Sequence, residues 1–112
     1  MPNSPWRAIG SDSKILFSSW STMFRVDVVD GWDAKSRYLL AHDGNLGSNL
    51  IRFDGDFSKL RRFDSDPRST PYAVIKPHPK VLIIGAAGGH EILASLYFGA
   101  GHVTAVELNP VT

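Results

Sequence analysis

The sequence predicts an α/β fold in two parts: a small N-terminal antiparallel β-meander and, after a linker, one strand–helix–strand unit. The first observation is a β-like pattern over residues 14–53, clearest in Met23–Val29, where apolar and polar residues alternate. The second is the unbroken apolar run Val81–Ile84, which leads directly into the glycine-rich segment Gly85–Gly89. Unbroken apolar runs are typical of strands that a parallel sheet buries on both faces.

Residues 14–56 are predicted to form the meander, and the preceding residues 1–13, rich in proline, serine and glycine, a loose leader. The pair Asp43-Gly44 indicates a tight turn, because glycine adopts a positive φ without steric cost. Apolar and β-branched runs between the chain breaks give three or four strands. The predicted strands are Ile15–Phe17, Met23–Val29, Arg37–Ala41 and Asn49–Phe53.

Residues 57–79 are predicted to form a linker with short helices. We expect one short helix over Phe57–Phe63 and one helical turn over Tyr72–Lys76, with the polar, proline-containing Asp64–Pro71 as a loop between them. The segment Pro77–Pro79 ends any helix, since proline restricts its own backbone and that of the preceding residue. The second part of the chain is therefore expected to begin near residue 80.

Residues 80–112 are predicted to hold the start of a second domain. We expect a helix over His90–Phe98, because apolar side chains four residues apart give it one apolar stripe. Gly99–Gly101 ends this helix in the manner of a glycine C-cap, and His102–Leu108 is predicted to be the second strand. Strand, glycine-rich loop, helix and strand in this order make one βαβ unit.

A glycine-rich turn between a buried strand and a helix favours ligand binding at that point. Glycine lets a ligand approach the backbone closely, and the free N–H groups at the start of the helix point towards it. Glu107 ends the second strand about 20 residues after Gly85, the spacing at which an acidic residue accepts hydrogen bonds from ribose hydroxyls. These features predict an adenosine-containing cofactor, with candidate binding residues Gly85, Ala86, Ala87, Gly88, Gly89, Glu107 and Leu108.

The loop departs from the dinucleotide fingerprint G-x-G-x-x-G. Counted from Gly85, the third and sixth positions are Ala87 and His90, and a histidine at the sixth would crowd the approach of helix to strand. A pyrophosphate site is therefore disfavoured, whereas S-adenosylmethionine-binding proteins use a looser loop. Three other interpretations stay open: an NAD-type half-domain, a non-catalytic binding module, and a plain tight turn with Glu107 as a solvated strand end. The simplest role for His90 itself is a surface position at the helix start.

The segment 81–110 resembles the start of the nucleotide-binding domain of spermidine synthase-like proteins, within the class I S-adenosylmethionine-dependent methyltransferase superfamily. The resemblance implies a Rossmann-like sheet, of which the chain holds the first βαβ unit, and S-adenosylmethionine or its decarboxylated form as cosubstrate. It also implies that the loop glycines line the cosubstrate and that Glu107 holds the ribose hydroxyls. Upstream the resemblance is weaker and depends on the meander with its Asp43-Gly44 turn.

Several positions differ from the family pattern on the acceptor side. Gly47 stands where the family has a glutamine, Tyr72 is followed by alanine and then Val74 where the family has Tyr-x-Glu, and Gly88 replaces an acidic loop residue. The resemblance places the catalytic aspartate beyond Thr112, so the catalytic residues are unknown. We therefore expect a fragment of an aminopropyl- or methyltransferase, inactive alone. The expected acceptor is a small molecule such as a polyamine, which would place the parent enzyme in polyamine biosynthesis. Because members of the family commonly form dimers or tetramers, the resemblance also implies a homo-oligomer.

Composition excludes several other classes of protein. The 112-residue chain has a net charge of +1, so its charge does not indicate binding to nucleic acid or to an anionic membrane. It has no cysteine, which excludes disulfides and thiolate metal sites. No apolar run approaches the roughly 20 residues that span a bilayer, and the first residues lack the basic and apolar regions of a signal peptide. The histidines show no metal-ligand spacing. We expect a cytoplasmic protein without a metal.

Overall fold

The computed structural model describes residues 13–33 and 37–112 of the chain. The chain divides into two compact units, the first formed by Met1–Arg52 with Leu108–Thr112 and the second by Phe53–Glu107. The predicted leader, residues 1–13, lies outside the described residues apart from Ser13.

The first unit is built on four strands, β1 (Lys14–Trp20), β2 (Arg25–Asp33), β3 (Arg37–His42) and β4 (Asn45–Ile51). They form one antiparallel sheet in the order β1-β2-β3-β4, which confirms the predicted meander. Asp43 and Gly44, with φ of 49° and 81°, join β3 to β4 in the left-handed conformation that two-residue hairpins favour. Strand β4 therefore begins directly after this turn, earlier than the predicted start at Asn49.

Alternation along the two central strands places Val29, Leu39 and Ala41 in one fully buried apolar cluster. The turn that follows β3 is tied back to the start of β2. The Asp43 carboxylate accepts the backbone N–H of Arg25 at 2.7 Å, and the backbone N–H of Asp43 donates to the Arg25 carbonyl at 2.9 Å. The hairpin turn and the buried cluster together fix the register of β2 against β3.

Two 3₁₀ helices open the second unit, Phe57–Ser65 and Pro67–Ala73. The first covers the helix predicted over Phe57–Phe63. The second occupies the segment predicted as a loop, so that prediction is wrong, and the helical turn predicted over Tyr72–Lys76 ends early.

The sequence explains the second 3₁₀ helix once its N-cap is recognised. The Asp66 carboxylate accepts the backbone N–H of Arg68 at 2.9 Å, which satisfies a donor that the helix start leaves without a partner. Pro67 stands in the first turn, where its missing N–H costs no hydrogen bond. A serine- and proline-containing segment therefore forms a helix because its first residues fit a helix start.

The second unit continues with β5 (Lys80–Ile84), the helix α1 (His90–Tyr97) and β6 (His102–Val106). The two strands pair in parallel, with Lys80 opposite His102 and Ile84 opposite Val106. Gly99, with a φ of 78°, ends the helix and donates its N–H to Leu96, as predicted for a glycine C-cap. The chain is thus a mixed α/β protein with one antiparallel four-stranded sheet and a separate parallel pair.

Burial along β5 alternates, which corrects the expectation of a strand buried on both faces. Ile83 is buried, as is Ala94 of α1, whereas Leu82 and Ile84 are 63% and 82% exposed. The reason is that alternate side chains of a strand point to opposite faces, and α1 covers one of them. Among the described residues, no helix is both long enough and apolar enough to cross a membrane.

Candidate functional site

The glycine-rich loop is anchored at the carboxyl end of β6. The backbone N–H groups of Gly85 and Ala86 both donate to the carbonyl of Val106, at 2.8 and 3.1 Å. The chain then reverses with positive φ at Gly85 (77°), Ala87 (43°) and Gly89 (80°). Because only glycine adopts this conformation freely, the loop needs glycine at its first and last positions. Gly85 also has no heavy atom within 4 Å of the place where a Cβ would stand, so the space above it is open.

Glu107 meets this loop directly. Its carboxylate accepts the backbone N–H of Ala87 at 2.9 Å, and the residue is exposed. The hydrogen bond joins the residue after β6 to the middle of the loop after β5. The structure therefore brings together two features that the sequence singled out separately, the loop and the acidic strand end.

The remaining predicted cofactor residues differ in their setting. Ala86 is buried and its carbonyl accepts the N–H of Gly89 at 2.8 Å, so its part in the site is to hold the turn. Gly88 is half-buried between them. Leu108 is exposed, and it groups with the first unit.

The His90 side chain points towards the 3₁₀ helices, and its predicted surface position is wrong. The side chain is 13% exposed, and its Nε2 lies 2.8 Å from Oδ2 of Asp66. The ring meets Phe63 edge-on, with 5.1 Å between ring centroids. Burial, followed by the nearby charge of Arg68, lowers the pKa of His90, so the neutral ring donates its N–H to Asp66. His90, at the start of α1, thus forms a hydrogen bond with Asp66, the N-cap residue of the second 3₁₀ helix.

Asp66 and Arg68 were not found by motif spacing. The Arg68 backbone N–H lowers the pKa of the Asp66 carboxyl, with a further contribution from His90, so Asp66 is held as an anion. The Arg68 guanidinium pairs with the Glu91 carboxylate in the first turn of α1, where a negative charge also complements the helix dipole. The one sequence feature that marks this cluster is the pair Asp66-Pro67, which indicates the start of a helix but does not indicate a functional role.

Gly47 occupies a position with no room for a side chain. A Cβ there would stand 2.8 Å from Nδ1 of His42, whose ring packs on Phe24 with 4.2 Å between centroids. The glutamine that the resembled family has at this place cannot be accommodated unless His42 moves. The His42 ring therefore explains why glycine, and not the family's glutamine, fits at position 47.

Over residues 13–33 and 37–112, no three histidine, aspartate or glutamate side chains converge in a way that could hold a metal ion. Comparison with known proteins found no matching family model, no matching curated protein and no matching solved structure. The interpretation of the site therefore depends on its geometry and chemistry.

Proposed function

We propose that the second unit binds S-adenosylmethionine or its decarboxylated form as the cosubstrate of a spermidine synthase-like transferase with a Rossmann-like domain. The observation that carries the proposal is the 2.9 Å hydrogen bond from the Ala87 N–H to the Glu107 carboxylate. It holds an acidic side chain beside a glycine-rich loop at the carboxyl ends of two parallel strands. That is the end of an open α/β sheet at which nucleotide ligands bind.

A carboxylate in this position suits the ribose of a nucleoside. A carboxylate has about four acceptor positions, so one group can accept several hydrogen bonds, and a backbone N–H and ribose hydroxyls can share it. Hydrogen bonds to an ionised group are about twice as strong as those between neutral groups. The N–H of Ala87 also limits the rotamers of Glu107 before the ligand arrives, which reduces the entropy lost on binding.

The same geometry disfavours a dinucleotide. A pyrophosphate is held by free backbone N–H groups at the loop and helix start. Here the N–H groups of Gly85 and Ala86 donate to β6, that of Ala87 donates to Glu107, and that of Gly89 donates to the Ala86 carbonyl. Most backbone N–H groups of the loop therefore already donate to acceptors within the chain, which supports a ligand without a diphosphate.

The reaction implied by the resemblance is displacement at a carbon bound to the sulfonium. A nucleophile forms a bond to that carbon, the carbon–sulfur bond breaks, and its electron pair stays on sulfur as a neutral thioether. An attacking amine must also give up a proton to a base. Because the sulfonium is already a good leaving group, the protein mainly contributes positioning and that base. The acceptor that we propose is a small molecule with a nucleophilic group, such as a polyamine.

Equilibrium binding by calorimetry tests the proposal. The chain is titrated with S-adenosylmethionine, with decarboxylated S-adenosylmethionine and with NAD, and we expect saturable heat with at least one of the first two and none with NAD. Tighter binding of NAD would favour the dinucleotide alternative. Absence of binding by all three, with a folded chain by circular dichroism, would favour a non-catalytic module and overturn the proposal.

A further inference from the structure

The first half of the glycine-rich loop is fixed by β6 and by the residue that follows it. Backbone N–H groups donate to the Val106 carbonyl from the start of the loop and to the Glu107 carboxylate from its middle. The second half is Gly88 and Gly89, and a hydrogen bond from the Gly89 N–H to the Ala86 carbonyl closes the turn at 2.8 Å. Because glycine has the greatest backbone freedom of all residues, the shape of this half depends on how the next residue is held.

That next residue, His90, is held from outside the loop. Its Nε2 lies 2.8 Å from Oδ2 of Asp66, and the two side chains are only 13% and 19% exposed. Its ring also meets Phe63 edge-on, with 5.1 Å between centroids. Since water reaches this pair poorly, breaking the hydrogen bond would leave two largely buried polar groups without partners, so the pair restrains the first residue of α1.

Asp66 is itself fixed in place. Its other carboxylate oxygen accepts the backbone N–H of Arg68 at 2.9 Å, because Asp66 is the N-cap residue of the second 3₁₀ helix. A carboxylate with a partner on each oxygen has little freedom to rotate. Asp66 thus joins this 3₁₀ helix to the start of α1, at the opposite end of the loop from the hydrogen bonds to β6.

We infer that Asp66 is a positioning residue for the glycine-rich loop. Through His90 it fixes the start of α1, which keeps the two glycines in the shape that brings the Ala87 N–H to Glu107. The contact that carries the proposed site thereby depends on a helix outside the strand–helix–strand unit. The effect of Asp66 on ligand binding rests on the proposed function, whereas its effect on the loop does not.

Three variants separate this hydrogen bond from the rest of the fold. His90→Asn keeps an amide donor but is too short to reach Asp66, whereas His90→Gln has the matching length. Asp66→Ser keeps a good N-cap residue and is also too short to reach His90. Because the pair can be broken from either side, one folded variant of these two is sufficient. Tyr72→Phe is the matched control, since it removes a hydrogen bond from the same 3₁₀ helix to Ser95, further along α1.

Amide hydrogen exchange, measured by NMR on the full chain without ligand, reports the loop directly. The Ala87 N–H is protected by its hydrogen bond to Glu107. It should exchange about three- to tenfold faster in His90→Asn and in Asp66→Ser, because the loop opens more easily once the pair is broken. In His90→Gln and Tyr72→Phe the rate should stay within about twofold of the natural one. His90→Asn and Asp66→Ser combined should add little to either alone, because both remove the same hydrogen bond.

Calorimetric titration of the same variants tests the consequence for binding. The ligands are S-adenosylmethionine and its decarboxylated form. We expect the affinity to fall about three- to tenfold in the two variants that break the pair, since part of the binding energy must then order the loop. His90→Gln and Tyr72→Phe should bind like the natural chain.

The outcomes that contradict the inference are distinct from failure of the proposed function. Natural exchange at Ala87 in His90→Asn and Asp66→Ser, with both folded by circular dichroism, would overturn it. Equally fast exchange in Tyr72→Phe would also overturn it, since the effect would then be one of general stability. Faster exchange with unchanged affinity would exclude the role in binding. A natural chain that binds neither ligand would overturn the proposed function, while the exchange rates would still decide whether Asp66 positions the loop.

Discussion

The Ala87 N–H and the Glu107 carboxylate are joined at 2.9 Å, although the two residues belong to different loops. The contact links the carboxyl ends of β5 and β6, which run in parallel and end side by side. Through this hydrogen bond the Glu107 carboxylate is held against the backbone of the loop. A ligand that uses Glu107 therefore meets a side chain already oriented by the fold.

Replacing Glu107 separates the role of its charge from the role of its shape. Glu107→Ala removes every acceptor and should weaken binding of S-adenosylmethionine or its decarboxylated form about 10- to 100-fold, since hydrogen bonds to a charged group contribute about 1.5–3 kcal/mol. Glu107→Gln keeps one oxygen for the Ala87 N–H and should lose less. Calorimetric titration measures both, and Asp54→Ala, at an exposed carboxylate that pairs with Lys59, serves as a control. Equal affinity of Glu107→Ala and the natural chain would exclude the ribose assignment.

Local sequence signals were sufficient to predict the meander, the helix α1 and the glycine loop. Each has its determinant within a few residues, such as the Asp43-Gly44 turn or the apolar stripe of α1. Strand β4 was placed too late because Asn45, Gly47 and Ser48 do not alternate like a strand. They pair with β3 because the hairpin turn brings them opposite it. Tertiary pairing, which no short window contains, decided this element.

The candidate site divides in the same way. The loop and Glu107 were identified because their order and spacing along the chain carry the signal. The pair His90–Asp66 was missed, since the two residues are far apart in sequence and meet only when the second 3₁₀ helix forms. That helix was itself predicted as a loop, so the error in secondary structure concealed the contact.

The contact between Gly47 and His42 predicts a cost for any side chain at position 47. Gly47→Ala places its Cβ 2.8 Å from the His42 ring and should lower the free energy of unfolding by about 1–3 kcal/mol, the usual range for overpacking. Urea unfolding measures the change. In a His42→Ala background the same substitution should cost little, because the ring that it meets is gone. An equal cost in both backgrounds would show that the strain lies in the backbone.

The His90–Asp66 pair predicts that the chain loses stability as the pH falls. Burial lowers the pKa of His90 in the folded chain below its ordinary 6.5, so the unfolded chain binds the proton more readily. Stability from this group is complete above pH 6.5 and declines as the pH falls towards the lower folded value. The pKa of Asp66 is also lowered, from 3.8, so its contribution is lost only in stronger acid.

Urea unfolding between pH 5 and 8 tests this dependence. His90→Gln keeps an N–H donor for Asp66 but does not titrate, so its stability should vary less over this range than that of the natural chain. His102→Gln, at an exposed histidine of β6, is the matched control and should keep the natural dependence. A His90→Gln curve parallel to the natural one would assign the acid sensitivity to other groups.

The last prediction concerns the hydroxyl pair that joins the second 3₁₀ helix to α1. The Tyr72 hydroxyl lies 2.5 Å from the Ser95 hydroxyl, which is buried and also donates to the Glu91 carbonyl at 2.7 Å. Tyr72→Phe keeps the ring, which stacks on Phe98 at 4.9 Å, but leaves Ser95 with one partner fewer. We expect a loss of about 1 kcal/mol, typical of one buried hydrogen bond.

Tyr97→Phe is the matched control for this measurement. Tyr97 also donates its hydroxyl to a partner, Asp64, at 2.8 Å, but that hydrogen bond is at the surface. Water can replace the lost partner there, so the free energy of unfolding should change by less than in Tyr72→Phe. Urea midpoints with unchanged m-values would report stability alone. A larger loss in Tyr97→Phe would contradict this expectation. It would mean that the Tyr97–Asp64 hydrogen bond stabilises the packing of α1 against the 3₁₀ helices more than the Tyr72–Ser95 hydrogen bond does.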